Sequence, residues 1–162
     1  MIQIRPIQLH EIPEAKYVIF TVAYAIFGGA DTLEESIAKH SVQGKLSEMD
    51  DVKANYFDQG GTFLVMVDND RIIGTGAVRS LDEDVCELKR MWLLTEYHGQ
   101  GLGYRMMQEL FAFARRKNYK IMRLETDPIV QTRAFEFYEQ LGFHEIPRYG
   151  DDPDDVGMEL AL

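Results

Sequence analysis

The segment Tyr97-His98-Gly99-Gln100-Gly101-Leu102-Gly103-Tyr104-Arg105 constrains this chain more than any other. It follows a run with strand character, residues 85–94, and leads into residues 104–117, where Met106, Met107, Leu110, Phe111 and Ala114 recur at helical spacing. Three glycines at alternate positions permit positive φ and close backbone approach, while the first amides of the helix have no intrahelical acceptor. Such a junction suits a phosphate or pyrophosphate, although a tight structural turn satisfies the same pattern. A P-loop is excluded because the lysine and hydroxyl that must follow the last glycine are missing. A dinucleotide fold is disfavoured too, because one following βα unit leaves no room for its half-domain.

Around this loop the pattern predicts a strand at residues 2–7, an apolar helix through residues 17–30 with its face in the core, and one or two partly exposed helices within residues 32–58. Gly60-Gly61 then precedes a hairpin whose strands cover residues 62–67 and 72–81, turning at Asp68-Asn69-Asp70-Arg71. A short strand at 121–125, a helix carrying Ala134, Phe135, Phe137, Tyr138 and Leu141 up to Gly142, and two strands at 143–149 and 156–162 complete the chain. This order argues for a single domain over residues 1–162, an α/β layered fold with a mixed, mostly antiparallel sheet flanked by helices. Phe111, Phe113, Phe135, Phe137 and Phe143 are expected in the core.

Seventeen basic against 27 acidic residues give a net charge of -10, which disfavours nucleic acid and anionic membranes as partners. The single cysteine, Cys86, excludes an intramolecular disulfide, and no Cys/His cluster has zinc-ligand spacing, so no metal is expected. The fourteen uncharged residues 17–30 are too few for a membrane span. The opening residues lack the order of a signal peptide, and a cytoplasmic location is expected. His10, His40 and His144 have no partner in sequence and are read as structural or surface residues.

Three pieces together resemble the GNAT superfamily of N-acetyltransferases: Glu87-Leu88-Lys89-Arg90-Met91-Trp92-Leu93, the loop His98 to Gly103, and Ala134-Phe135-Glu136-Phe137-Tyr138-Glu139-Gln140-Leu141-Gly142-Phe143. They occur in the family's order and spacing, and the resemblance is close from Leu64 to Phe143. It implies the GNAT acyl-CoA N-acyltransferase fold, with acetyl-CoA as co-substrate and an amine as acceptor. The resemblance places the pyrophosphate on His98, Gly99, Gln100, Gly101, Leu102, Gly103 and Tyr104, and the pantetheine arm along the backbone of Met91, Trp92 and Leu93. His98 stands where Arg or Gln is common, and Gln131 stands where the family often has Asn. His98 is expected to donate a hydrogen bond.

The chemistry adds its own demand. An aliphatic amine with a pKa of about 10 is protonated at neutral pH, so a base must free its lone pair. By the period of two, Glu87 shares a strand face with Lys89, Met91 and Leu93, and the resemblance makes it the general base, directly or through water. Cys86 falls on the opposite face and is read as packing. Helical spacing alone would make Tyr138 a core aromatic; the resemblance makes it the general acid for the leaving thiolate. Residues 24–46 and 149–155 are expected to choose the acceptor. The competing readings are a non-catalytic acyl-CoA-binding module and an unrelated nucleotide-binding domain, and a homodimer through an exposed sheet edge is compatible with the pattern.

Overall fold

A computed structural model describes residues 1–162. Seven strands form one sheet in the order β1-β2-β3-β4-β5-β7-β6: β1 Ile2–Pro6, β2 Thr62–Asp68, β3 Arg71–Ser80, β4 Val85–Leu93, β5 Ile121–Thr126, β6 His144–Ile146 and β7 Val156–Ala161. Every neighbouring pair is antiparallel except β4 and β5. The helices are α1 Ile12–Phe27, α2 Leu33–Val42, the single turn α3 Val52–Asn55, α4 Leu102–Arg116 and α5 Thr132–Leu141.

β3 fixes how the layers assemble. On one side of it a Cβ added at Gly76 would lie 2.9 Å from Met106 Cγ and 3.0 Å from Leu110 Cδ1, so the missing side chain is what lets α4 lie close. The other side carries Thr75 and Ala77, both fully buried, and faces α1, whose Ala15, Val18, Ile19 and Val22 are buried. Met66, Met106, Met107, Met122 and Leu110 lie in the resulting core with no exposed surface.

Several details depart from the sequence reading. The apolar helix runs over Ile12–Phe27 instead of residues 17–30 and leaves Tyr17, Ile26 and Phe27 exposed. Of residues 32–58 only α2 is a full helix; residues 47–59 are chiefly 3₁₀ turns, the first of them entered from Leu46 at a left-handed φ of 63°. The penultimate strand is just three residues, ending before Pro147, which has no N–H to donate to a ladder. Phe111 and Phe143 are buried as expected, whereas Phe113, Phe135 and Phe137 are only partly covered.

Candidate active site

The site begins where β4 and β5 part. Their parallel pairing covers only Val85–Ile121, Cys86–Met122 and Glu87–Arg123, although both strands run on. From Leu88 onward one edge of β4 therefore has no strand partner, and a wedge opens in the middle of the sheet. α5 fills it from the side, bringing Gln131, Ala134 and Tyr138 to its walls.

A bulge shapes the β4 wall. Thr75 pairs with Trp92 but Ala77 pairs with Lys89, so β4 carries one extra residue, and Arg90 adopts φ 54°. The bulge corrects the expectation that Glu87, Lys89, Met91 and Leu93 share a face. Glu87 and Lys89 lie opposite Arg79 and Ala77, on the α1 side, as does Trp92 opposite Thr75. Met91 and Leu93 are shifted to the α4 side, where the Met91 Cε lies 3.9 Å from a Cβ built on Gly103.

Two cavities result. The first, about 380 Å³, is mainly apolar and bounded by Met91, Trp92, Leu93, the glycine loop, Gln131 and Tyr138, with Ile26 at its α1 side. The second, about 410 Å³, is polar and lies between β4, β5 and residues 149–155. Met91, Trp92, Gln131, Ala134 and Tyr138 line both.

The loop at the first cavity has the geometry its glycines demand. Gly99 and Gly101 have φ of 80° and 76°, with open space where a Cβ would stand. Gly101 caps α4 without a side-chain hydrogen bond, and the first amide to find a backbone acceptor is Arg105, bonded to the Gly101 carbonyl at 3.1 Å. The amides of residues 99–104 are thus unpaired at the positive end of a fifteen-residue helix. Gly103 sits against Phe137, and Tyr104 is exposed along the cavity. The Gln100 side chain stands outside the cavity wall. His98 lines the wall, but its Nε2 donates to the Leu93 carbonyl at 3.0 Å and its Nδ1 is buried without a partner. Its ring ties the loop to the end of β4.

Tyr138 is 7% exposed, its ring lying between Phe137 and Phe143 at centroid distances of 5.6 Å and 5.7 Å. Burial raises its phenol pKa, and no side chain bonds to it. Gln131, at the N-cap of α5, accepts from the Thr126 hydroxyl at 3.2 Å. Glu87, 4% exposed, accepts from Arg79 Nε at 2.7 Å and from the Tyr149 hydroxyl at 2.6 Å. Burial, then the bond to Glu87, raises the Tyr149 pKa. Glu125 accepts from the amides of Tyr149 and Gly150 at 3.2 Å and 2.9 Å. A Cβ on Gly150 would meet that carboxylate, so a larger residue there, on the strap from β6 to β7, would require the Glu125 side chain to move. Tyr149 and Gly150 were not singled out individually from sequence. The Tyr149–Glu87 bond spans 62 residues, and no local pattern announces it. Cys86 is fully buried and its thiol is pushed up to about 12 by burial, which keeps it out of the chemistry.

Residues 30–143 match the Acetyltransferase (GNAT) family. The chain belongs to that family. The GNAT relatives include N-acetylaspartate synthetase of Xenopus tropicalis, 32% identical over 102 residues, which are 62% of this chain and 37% of that protein. The uncharacterized N-acetyltransferase YjgM of Escherichia coli is 29% identical over 101 residues, 60% of each chain. The chain thus spans only part of the length of these curated GNAT relatives. An acetyltransferase from Streptococcus agalactiae superposes with a TM-score of 0.82 at 20% identity over 99% of this chain and 98% of its own. The PaiA N-acetyltransferase of Thermoplasma acidophilum, solved in complex with coenzyme A, gives 0.80 at 21% identity over 100% and 99%. These structures share the GNAT fold, the seven-stranded mixed sheet with flanking helices. The residues present here suit an acyl-CoA: unpaired amides for phosphate oxygens, an apolar cavity beside them, and an open strand edge for an amide-bearing arm. No helix is long and apolar enough to cross a membrane.

Proposed function

We propose that the protein is an acetyl-CoA-dependent N-acetyltransferase acting by direct attack in a ternary complex. The observation that supports this reading is that Tyr138 lines both cavities, which suits a hydroxyl acting between donor and acceptor. When bound, acetyl-CoA supplies an activated acetyl group on a thioester. The amides of residues 99–104 bind its pyrophosphate, and the open edge of β4 at Met91, Trp92 and Leu93 pairs with the pantetheine arm by strand addition. A backbone N–H of this edge stabilises charge on the acetyl oxygen.

The acceptor amine occupies the second cavity. The arriving ammonium gives one proton to the base side; its nitrogen then forms the new C–N bond as the C–S bond breaks, the sulfur takes a proton from Tyr138, and the second proton lost from nitrogen restores that phenol. Burial keeps that phenol protonated until the proton is needed. Both Glu87 oxygens already accept a hydrogen bond, from Arg79 and from Tyr149, so its remaining lone pairs take the amine proton through a water in the cavity. No covalent intermediate on the enzyme is required.

Calorimetric titration with acetyl-CoA, with ATP as control, tests the cofactor half, and thiol release over a panel of amines tests the transfer. Saturable binding of acetyl-CoA together with amine-dependent thiol release is the expected result. Binding without thiol release would identify a non-catalytic acyl-CoA module, and no binding at millimolar concentration would remove the cofactor altogether.

A further inference from the structure

The second cavity carries charges of both signs. Glu87, Lys89 and Arg90 on β4 and Lys45 after α2 line one part; Glu125 on β5 and Asp152 and Asp155 on the strap line the other. Several of these charges are already answered within the chain. Arg90 donates through Nε to Glu48 at 2.6 Å. Glu125 holds two strap amides, and Glu87 is taken by Arg79 and Tyr149.

What is left over has both signs. Lys89 is half-buried and has no carboxylate within ion-pair distance; Glu87, on its own face, is bonded to Arg79 and Tyr149. Lys45 is exposed at the rim and also unpaired. Asp155 is without a partner on the facing wall, where burial and then the Asp152 carboxylate raise its pKa. Burial lowers the Lys89 pKa more than the nearby Glu87 charge raises it, so the ammonium is only partly compensated and its burial is costly. A plain amine as acceptor leaves that cost in place, and a polyamine adds repulsion to it.

We propose that the acceptor carries an anionic oxygen group, carboxylate or phosphate, besides its amine, with Lys89 and Lys45 holding the anion. The inference rests on the N-acetyltransferase reading and adds to it the acceptor's chemical class. Lys89 is then a specificity residue, two positions from Glu87 on the same face of β4.

The test measures thiol release by the full chain with acetyl-CoA and four kinds of acceptor: protein amino acids, their decarboxylated amines, 2-aminoethyl phosphate and spermidine. The best acceptor is expected to be an amino acid or the phosphate, and which of the two leads identifies the anion. The preference for it over its anion-free counterpart should fall about ten-fold or more in Lys89→Met, the size of one charge-assisted hydrogen bond, and much less in Lys89→Arg. Fastest turnover of spermidine or a decarboxylated amine, or a ratio unchanged in Lys89→Met, overturns the inference and leaves the enzyme reading intact. Binding of N-acetyl amino acids and N-acetyl-2-aminoethyl phosphate to the CoA-loaded protein, read by calorimetry, judges the subsite without turnover. Binding lost in Lys89→Met supports the subsite even if no amine is acetylated, and no binding of either by the wild type refutes it.

Discussion

Replacing Tyr138 with Phe removes one oxygen and leaves the aromatic packing against Phe137 and Phe143 in place. Because the hydroxyl has no partner in the chain, its loss strands no donor or acceptor, and stability should change by less than about 1 kcal/mol. If the hydroxyl protonates the departing thiolate, turnover should fall about 10²–10⁴-fold, the range of a positioned general acid. That is about 2.7–5.4 kcal/mol on the barrier, well clear of any effect of the substitution on folding. The assay is initial-rate thiol release at saturating amine, with acetyl-CoA affinity measured separately by calorimetry. Affinity should stay near the wild-type value, since the apolar walls and loop amides are untouched. A kcat within about three-fold of wild type, below the smallest general-acid effect, would refute the assignment and leave Tyr138 as packing.

Gly76→Ala should cost about 1–3 kcal/mol by overpacking against Met106 and Leu110, and should weaken acetyl-CoA binding because α4 carries the loop amides; urea unfolding and calorimetry check the two effects. The Glu11 carboxylate receives both Arg5 nitrogens at 3.0 Å and 2.6 Å and the Gln8 amide at 2.8 Å, and the Arg5 bonds foremost hold its pKa below the ordinary 4.5. Its stabilisation is therefore present above the unfolded value and is lost as pH falls through the lowered folded one. Glu11→Gln should cost about 1–2 kcal/mol at neutral pH and flatten the acid limb of stability. Equal dependence on pH between pH 3 and 6 in mutant and wild type would contradict this, as read from urea midpoints.

Periodic features were legible in the sequence. α4 and α5 announce themselves because each buries one stripe, and the glycine loop because a left-handed φ at Gly99 and Gly101 leaves few other residues. The fold class followed from these elements in order, whereas a free β4 edge at Met91 to Leu93 was implied only by the family resemblance. The polar cavity followed from neither. Its strap is held by bonds from Tyr149 and Gly150 to Glu87 and Glu125, and nothing in the composition of residues 147–155 distinguishes an anchored loop from a solvated one. The bulge had a signal: Lys89 and Arg90 are adjacent charges, both partly buried, inside a strand whose alternation should expose at least one. Neither residue is glycine or proline, so the break in period was invisible to turn chemistry.

The bulge explains why the site sits in the sheet's centre. A straight β4 would keep Met91 and Leu93 beside Glu87, on the α1 side, and leave the α4 side of the wedge without its apolar wall. The left-handed residue costs about 1 kcal/mol or more, and contacts hold it from two directions. The Thr75 hydroxyl donates to the Arg90 carbonyl at 2.6 Å, and the Arg90 guanidinium is held by Glu48, which also receives the Tyr56 hydroxyl at 3.3 Å. Thr75 has no exposed surface and comes from the neighbouring strand; Glu48 comes from the turns that replace a regular helix after α2. Those irregular turns thus clamp the residue that rotates β4. The same rotation leaves Lys89 with Glu87 along the polar cavity and turns Met91 and Leu93 toward the α4 side, so one inserted residue changes which side chains the strand presents to each cavity.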